Sequence, residues 1–205
     1  MTVGAPTFWL VAGANGVGKT TYAMRHIRTV SGSVHFVNLD EIARGLSPLD
    51  PDIARQDAAR LALGRARQLI AAGQSFTMES TLAGRTQLRL AERARAARFR
   101  IHLLYFFVAD ADECLRRIRR RVAEGGHDVP EAEVRRRWTR SLANFPLYAA
   151  RADLWRVFDN RGPSRIVAEG DGRVEILDAA ALEGGPASLA AAIKSMASNR
   201  GPLSP

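Results

Sequence analysis

Gly13-Ala14-Asn15-Gly16-Val17-Gly18-Lys19-Thr20 satisfies G-x-x-x-x-G-K-[ST] at every fixed position, and that spacing suits a grip on the phosphates of a nucleotide. The glycines let backbone N–H groups turn inward around a β-phosphate. The Lys19 ammonium reaches the β/γ oxygens, and the Thr20 hydroxyl is placed to ligate the Mg²⁺ that travels with the nucleotide. Gly13 through Thr21, with Ala14, Asn15 and Val17 contributing backbone, is therefore the expected cofactor-binding run.

Two carboxylates stand where transfer chemistry needs them. Asp40 follows the strand candidate Val34–Asn38, and Glu79 ends the strand candidate Ser75–Glu79. Both fall at the carboxyl edge of the expected sheet, where ligands bind in open α/β folds. Phosphoryl transfer to a hydroxyl calls for a base near the acceptor and for cations that neutralise the moving charge. Asp40 is the expected base, and Asp40 and Glu79 are expected to face one acceptor pocket. Asp40 also reads as an N-cap for Glu41-Ile42-Ala43, a role compatible with the first.

The cations come from an arginine-dense middle. Asp110 followed by Glu113 resembles a capping box for a helix ending at Gly125-Gly126. On its wheel Leu115, Ile118 and Val122 share a face, with Cys114 alongside; Arg116 and Arg120 point away, and Arg117 and Arg121 border it. The first pair is expected to meet solvent and the second to reach over a nucleotide. Pro130 opens another helix with Glu131 and Glu133 in its first turn and an apolar stripe of Val134, Trp138, Leu142 and Phe145, broken or kinked at Pro146. Arg137, Arg140, Ser141 and Asn144 flank that stripe. Two helices joined by Gly125-Gly126-His127 have the form of a lid, over about 110–145, that closes on phosphates.

Short apolar runs alternating with longer helical patterns hold these residues in place, and they argue for parallel βαβ units. Phe8–Ala12 is the first strand and Thr20–Arg28 the start of the helix after it. Asp50-Pro51 is expected to open a helix to about Ala72, with Ile53, Leu61, Leu69 and Ile70 on its buried face and Gly73 as its stop. A helix over Arg85–Arg98 follows. Ile101–Val108, the most apolar segment, should be a strand covered on both faces. Leu154–Phe158 is a fifth parallel strand, Arg165–Ala168 and Val174–Leu177 an edge hairpin around Gly170-Asp171-Gly172, and Leu189, Ile193 and Met196 the buried face of a last helix. The whole reads as one domain over 1–197, with a patternless tail at 198–205 expected to be disordered.

Composition sets outer limits. With 205 residues, 46% of them hydrophobic, the chain can bury one substantial core. A single cysteine, Cys114, allows no internal disulfide, and no apolar run is long enough to cross a membrane, so a cytoplasmic protein is expected. The net charge of +9 is carried almost wholly by arginine, since Lys19 and Lys194 are the only lysines. That balance suits phosphorylated or nucleic-acid partners, and a general preference for arginine and alanine explains it equally well.

Among P-loop classes, a GTP switch is disfavoured because neither lysine sits in N-K-x-D. Motor and helicase ATPases fit poorly, because Val108-Ala109-Asp110 is not an Asp-Glu pair after an apolar strand. Small kinases remain. Besides the P-loop, the chain carries in order Asn38-Leu39-Asp40-Glu41-Ile42-Ala43, Glu79-Ser80-Thr81-Leu82-Ala83-Gly84, Arg117–Val122, Gly125–Glu131, Arg136–Leu142 and Asp159-Asn160. Over about 13–160 this set resembles the compact branch of the zeta toxin family, P-loop kinases related to toxins that phosphorylate UDP-N-acetylglucosamine.

The resemblance implies a P-loop nucleoside-kinase-like α/β fold, with about five parallel strands flanked by helices, a helical lid and a small C-terminal hairpin and helix. It implies ATP and Mg²⁺ as cosubstrates, Asp40 in the position of the family's base, Glu79 with Thr81 in the acceptor pocket, and Arg117 and Arg121 as the lid arginines that meet ATP phosphates. Asn38, Arg137 and Arg140 complete the expected substrate-binding set. The chain departs from the larger toxins in its short second half. The expected function is an ATP-dependent kinase of a small polar hydroxyl acceptor, UDP-N-acetylglucosamine first, with an antitoxin protein as an implied partner. Two alternatives stand beside it: a kinase of another acceptor, either an antibiotic-like molecule or a polynucleotide 5′-hydroxyl, and a non-catalytic nucleotide-binding module.

Overall fold

The structure is a computed structural model that describes residues 4–126 and 128–198. His127 and the expected tail beyond Ser198 lie outside the described residues. Strand β1 (Thr7–Ala12) ends at the P-loop and is followed by one continuous helical run: α1 (Lys19–Tyr22), a π turn (Ala23–Ile27) and α2 (Arg28–Ser31). Then come β2 (Phe36–Val37), α3 (Leu39–Leu46), α4 (Arg55–Ala71), β3 (Phe76–Ser80), α5 (Thr86–Ala96) and β4 (Arg100–Phe107). The chain continues through α6 (Ala111–Ala123), α7 (Glu131–Ala149), β5 (Leu154–Asp159), β6 (Arg165–Gly170), β7 (Val174–Ile176), α8 (Ala179–Glu183) and α9 (Ala187–Ser198).

The strands form one sheet in the order β2-β3-β1-β4-β5-β6-β7. The first five are parallel, as expected, and β6 and β7 continue the same sheet antiparallel. The expected hairpin thus extends the main sheet. Alternation along β1 and β4 explains why both read as apolar throughout. Phe8, Leu10, Ala12, Leu103 and Tyr105 join the core under α4, α5, α7 and α9, while Trp9, Val11, Leu104 and Phe106 join the core under the first helical run and α6. Among the described residues no helix is long and apolar enough to cross a membrane.

Three expectations fail locally. The helix expected from Asp50 begins at Arg55, because the Asp50 carboxylate takes the Asp52 N–H in a turn and leaves Pro51 outside the helix. Its buried face is Ala58, Ala62, Ala66, Leu69 and Ile70, and Ile53 and Leu61 are 76% and 53% exposed. Small alanines let α4 lie close to the sheet. Pro146 does not end α7, which runs on to Ala149; burial of Phe145, Tyr148 and Ala149 offsets the backbone hydrogen bond that proline removes. Val122, expected on the apolar face of α6, is 37% exposed in the helix's last turn, and α8 has no counterpart among the expected elements.

Candidate active site

Parallel pairing sets Val11 opposite Glu79 and Ala12 opposite Ser80, so the P-loop and the end of β3 leave the sheet side by side. Gly18 starts α1 at φ +93, and a Cβ there would sit 2.3 Å from Asn160 Nδ2, which donates to the Val17 carbonyl at 2.6 Å. Gly16, at φ +83, lets the loop lie against α6: a Cβ would meet the Cys114 carbonyl at 2.6 Å. These positions need glycine for conformation and for space alike.

Lys19 is buried, its ammonium donating to the Ala14 carbonyl at 2.8 Å and lying 3.6 Å from Glu79 Oε1. Glu79 gathers the neighbouring polar groups. Thr20 Oγ1 donates to Oε1 and Oε2 at 3.1 and 2.9 Å, and Asn38 Nδ2 donates to Oε2 at 3.0 Å. Burial pushes the Glu79 carboxyl above its usual range; Lys19 and Thr20 pull it back, and the charge of Asp40 pushes it up again. Glu79, expected in the acceptor pocket, packs against Lys19 and Thr20 of the P-loop.

Asn38 caps α3, accepting from the Asp40 and Glu41 N–H groups at 2.9 and 3.2 Å. Asp40 is consequently not the cap. Its carboxylate is exposed in the first turn of α3 and lines a cleft of about 840 Å³ together with Lys19, Thr20, Thr21, Asn38 and Glu79. The opposite wall comes from α6. Arg117 is the most enclosed of its arginines, 29% exposed and held at 2.6 Å by Glu113. Arg121 lines the same wall. Arg116 and Arg120, expected to face away, form the rim of the cleft at 62% and 85% exposure. Asp110 does cap α6 through the Glu113 N–H, but the Glu113 carboxylate turns to Arg116 and Arg117, whose hydrogen bonds hold it below the usual carboxylate range.

Arg137 reaches from α7 to the P-loop, Nη1 donating to Asn15 Oδ1 at 3.2 Å and Nε to Glu133 at 3.1 Å. Arg140 is exposed and Thr81 half-buried, and neither lines the cleft. Asn160 and Glu113 were not among the expected site residues. Asn160 follows the last parallel strand at the ligand-binding edge, and Glu113 stands three and four residues before Arg116 and Arg117 on one helix; both are signals that would have found them. The Cys114 thiol, pushed up to about 12 by burial, is no nucleophile.

A parallel sheet of order 2-3-1-4-5 with a phosphate loop after its central strand defines a kinase-like, nucleotide-binding P-loop fold. The chain belongs to the AAA_33 family, described as an AAA domain, which matches residues 8–145. An uncharacterized protein of Haemophilus influenzae (strain Rd) is 33% identical over 126 residues, 62% of this chain and 88% of that one. Among solved structures, the AvrRxo1-ORF1:AvrRxo1-ORF2 complex with sulphate ions matches at TM-score 0.69 and 16% identity, over 98% of this chain and 66% of the other. This chain thus spans just under two thirds of that relative. The same complex with ATP matches at 0.70, with 15% identity over 93% and 76%. The PezAT toxin-antitoxin system of Streptococcus pneumoniae matches at 0.65, with 13% identity over 98% and 82%. The resemblance to zeta-toxin-like P-loop kinases holds at the level of the fold.

Proposed function

We propose that this chain is a single-domain, cytoplasmic kinase that moves the γ-phosphate of ATP to a hydroxyl of a small polar acceptor, with UDP-N-acetylglucosamine the first candidate. The observation that carries the reading is the convergence of Lys19, Thr20 and Asn38 on Glu79, with Asp40 on the same cleft and Arg117 across it. In this reading the acceptor oxygen attacks the γ-phosphorus while its proton passes to Asp40. The bond to the β–γ bridging oxygen breaks, and ADP leaves with that oxygen. Lys19, Arg117 and Arg121 offset the charge that develops on the moving group, and the lid over about 110–145 excludes water.

Magnesium fits the donor set: the Thr20 hydroxyl donates its hydrogen bond to Glu79, which leaves its own lone pairs free for a hard cation. When bound, the ion supplies further positive charge to the β/γ oxygens. The likeness to the two-protein AvrRxo1-ORF1:AvrRxo1-ORF2 complex and to the PezAT toxin-antitoxin system supports an antitoxin-like partner.

The test is acceptor-dependent ADP release with ATP and Mg²⁺, followed by mass spectrometry. A gain of one phosphate on UDP-N-acetylglucosamine is expected. Labelling of a 5′-hydroxyl oligonucleotide with the sugar nucleotide untouched would overturn the acceptor, and ATP binding without release of ADP for any acceptor would overturn the kinase reading.

A further inference from the structure

Helix α7 carries a line of polar side chains that the reaction scheme leaves unused. Arg137, Ser141, Asn144 and Tyr148 are spaced i, i+4, i+7 and i+11, so they lie on one narrow face beside the apolar stripe. Each meets a different part of the sheet's carboxyl edge. Arg137 meets Asn15 of the P-loop. Ser141 meets the Tyr105 hydroxyl of β4 at 3.1 Å. Asn144 Nδ2 donates to the Leu82 carbonyl at 2.6 Å, and Tyr148 donates to the Gly84 carbonyl at 2.8 Å.

The last two hold the turn that follows Glu79, and that turn needs holding. Leu82 is fully buried at φ +53, a left-handed conformation unfavourable for a branched side chain, and its N–H is taken by Ser80 Oγ at 3.1 Å. Released from its clamps, such a turn relaxes toward ordinary backbone and carries Ser80 and Glu79 with it. Burial pushes the Tyr148 phenol up to about 12, which keeps it a proton donor at any working pH.

We propose that Asn144 and Tyr148 are positioning residues: by clamping the Thr81–Gly84 turn they set Glu79 against Lys19 and Thr20, and so act on nucleotide binding and turnover through that carboxylate. This rests on the kinase reading above.

The test compares Asn144→Ala and the milder Tyr148→Phe with Ser141→Ala, which loses a contact to Tyr105 and none to the turn. Three quantities are read on the full chain: amide hydrogen exchange at 81–84, the ATP dissociation constant, and kcat and KM for UDP-N-acetylglucosamine. The two clamp variants should exchange about tenfold faster in the turn and lose about tenfold in ATP affinity and in kcat/KM. Ser141→Ala should lower Tm without either effect. Exchange in the turn no faster than in Ser141→Ala, or ATP affinity within about twofold of the parent, would overturn the proposal. A parent protein that turns over no acceptor sinks the kinase reading instead, and exchange with ATP binding still decides whether the clamp exists and reaches the nucleotide site.

Discussion

Thr20 Oγ1 donates to both oxygens of Glu79, 59 residues further along the chain, at 3.1 and 2.9 Å. The contact follows from strand register: β3 lies beside β1 in parallel, so the last residues of β3 emerge next to the first turn of α1. With Lys19 3.6 Å from the same carboxylate and bonded to Ala14, the phosphate-gripping groups are held in place by one another before any anion arrives. A preorganised site of this kind needs little rearrangement when the nucleotide enters.

Lys19→Ala should therefore remove the cation proposed to meet the β/γ oxygens and also leave Glu79 without the ammonium 3.6 Å away. ATP-dependent turnover should fall by about 10²-fold or more, with the circular-dichroism spectrum of the parent retained. Near-normal turnover in this variant would refute the assignment of the P-loop.

How much of this was legible in advance depended on how far apart the partners lie. The P-loop is a run of consecutive residues, and its neighbours β1 and α1 have their own apolar patterns, so loop and context could be read together. The alternation hidden in β4 appears as a plain apolar run because both faces are covered. The contacts of Glu79 were not legible, because its neighbours Lys19 and Thr20 come from across the ladder. The start of α4 was misread because Asp50-Pro51 is equally good as a helix start and as a turn. The buried alanines of α4 carry too little hydrophobic contrast to compete with the exposed Ile53 and Leu61.

Asp40→Asn isolates the proposed base. Asn38 supplies the cap of α3, so the substitution touches no helix-end hydrogen bond through the Asp40 side chain. Turnover should drop by roughly 10²–10⁴-fold while ATP affinity, read by titration, changes little. Parallel losses in binding and rate would assign Asp40 to the metal instead.

The arginines of α6 should rank by enclosure. Arg117 is 29% exposed and oriented by Glu113, whereas Arg120 is 85% exposed, with Glu124 3.7 Å away. Arg117→Ala should slow phosphoryl transfer by about 10³-fold or more, within the range such arginines contribute. Arg120→Ala should leave the rate nearly unchanged. A larger loss from Arg120 in single-turnover assays would mean that the rim, and not the inner wall, meets the transferred group.

Glu79→Gln tests the electrostatics of the cluster through its pH dependence. Burial raises the Glu79 carboxyl above its ordinary value of 4.5, against the opposing pull of Lys19 and Thr20. A carboxyl that holds its proton more tightly folded than unfolded favours the folded state most at low pH. That contribution is lost as pH rises from the ordinary value up to the raised one, and is constant above it. Glutamine has no such proton to lose. The difference in Tm, variant minus parent, should therefore increase as pH rises through that window and then level off, whatever constant offset the amide adds. Thermal melts of both proteins from acid to neutral pH measure it. A difference that falls with rising pH would mean that Lys19 and Thr20 outweigh burial and that Glu79 is charged well into the acid range.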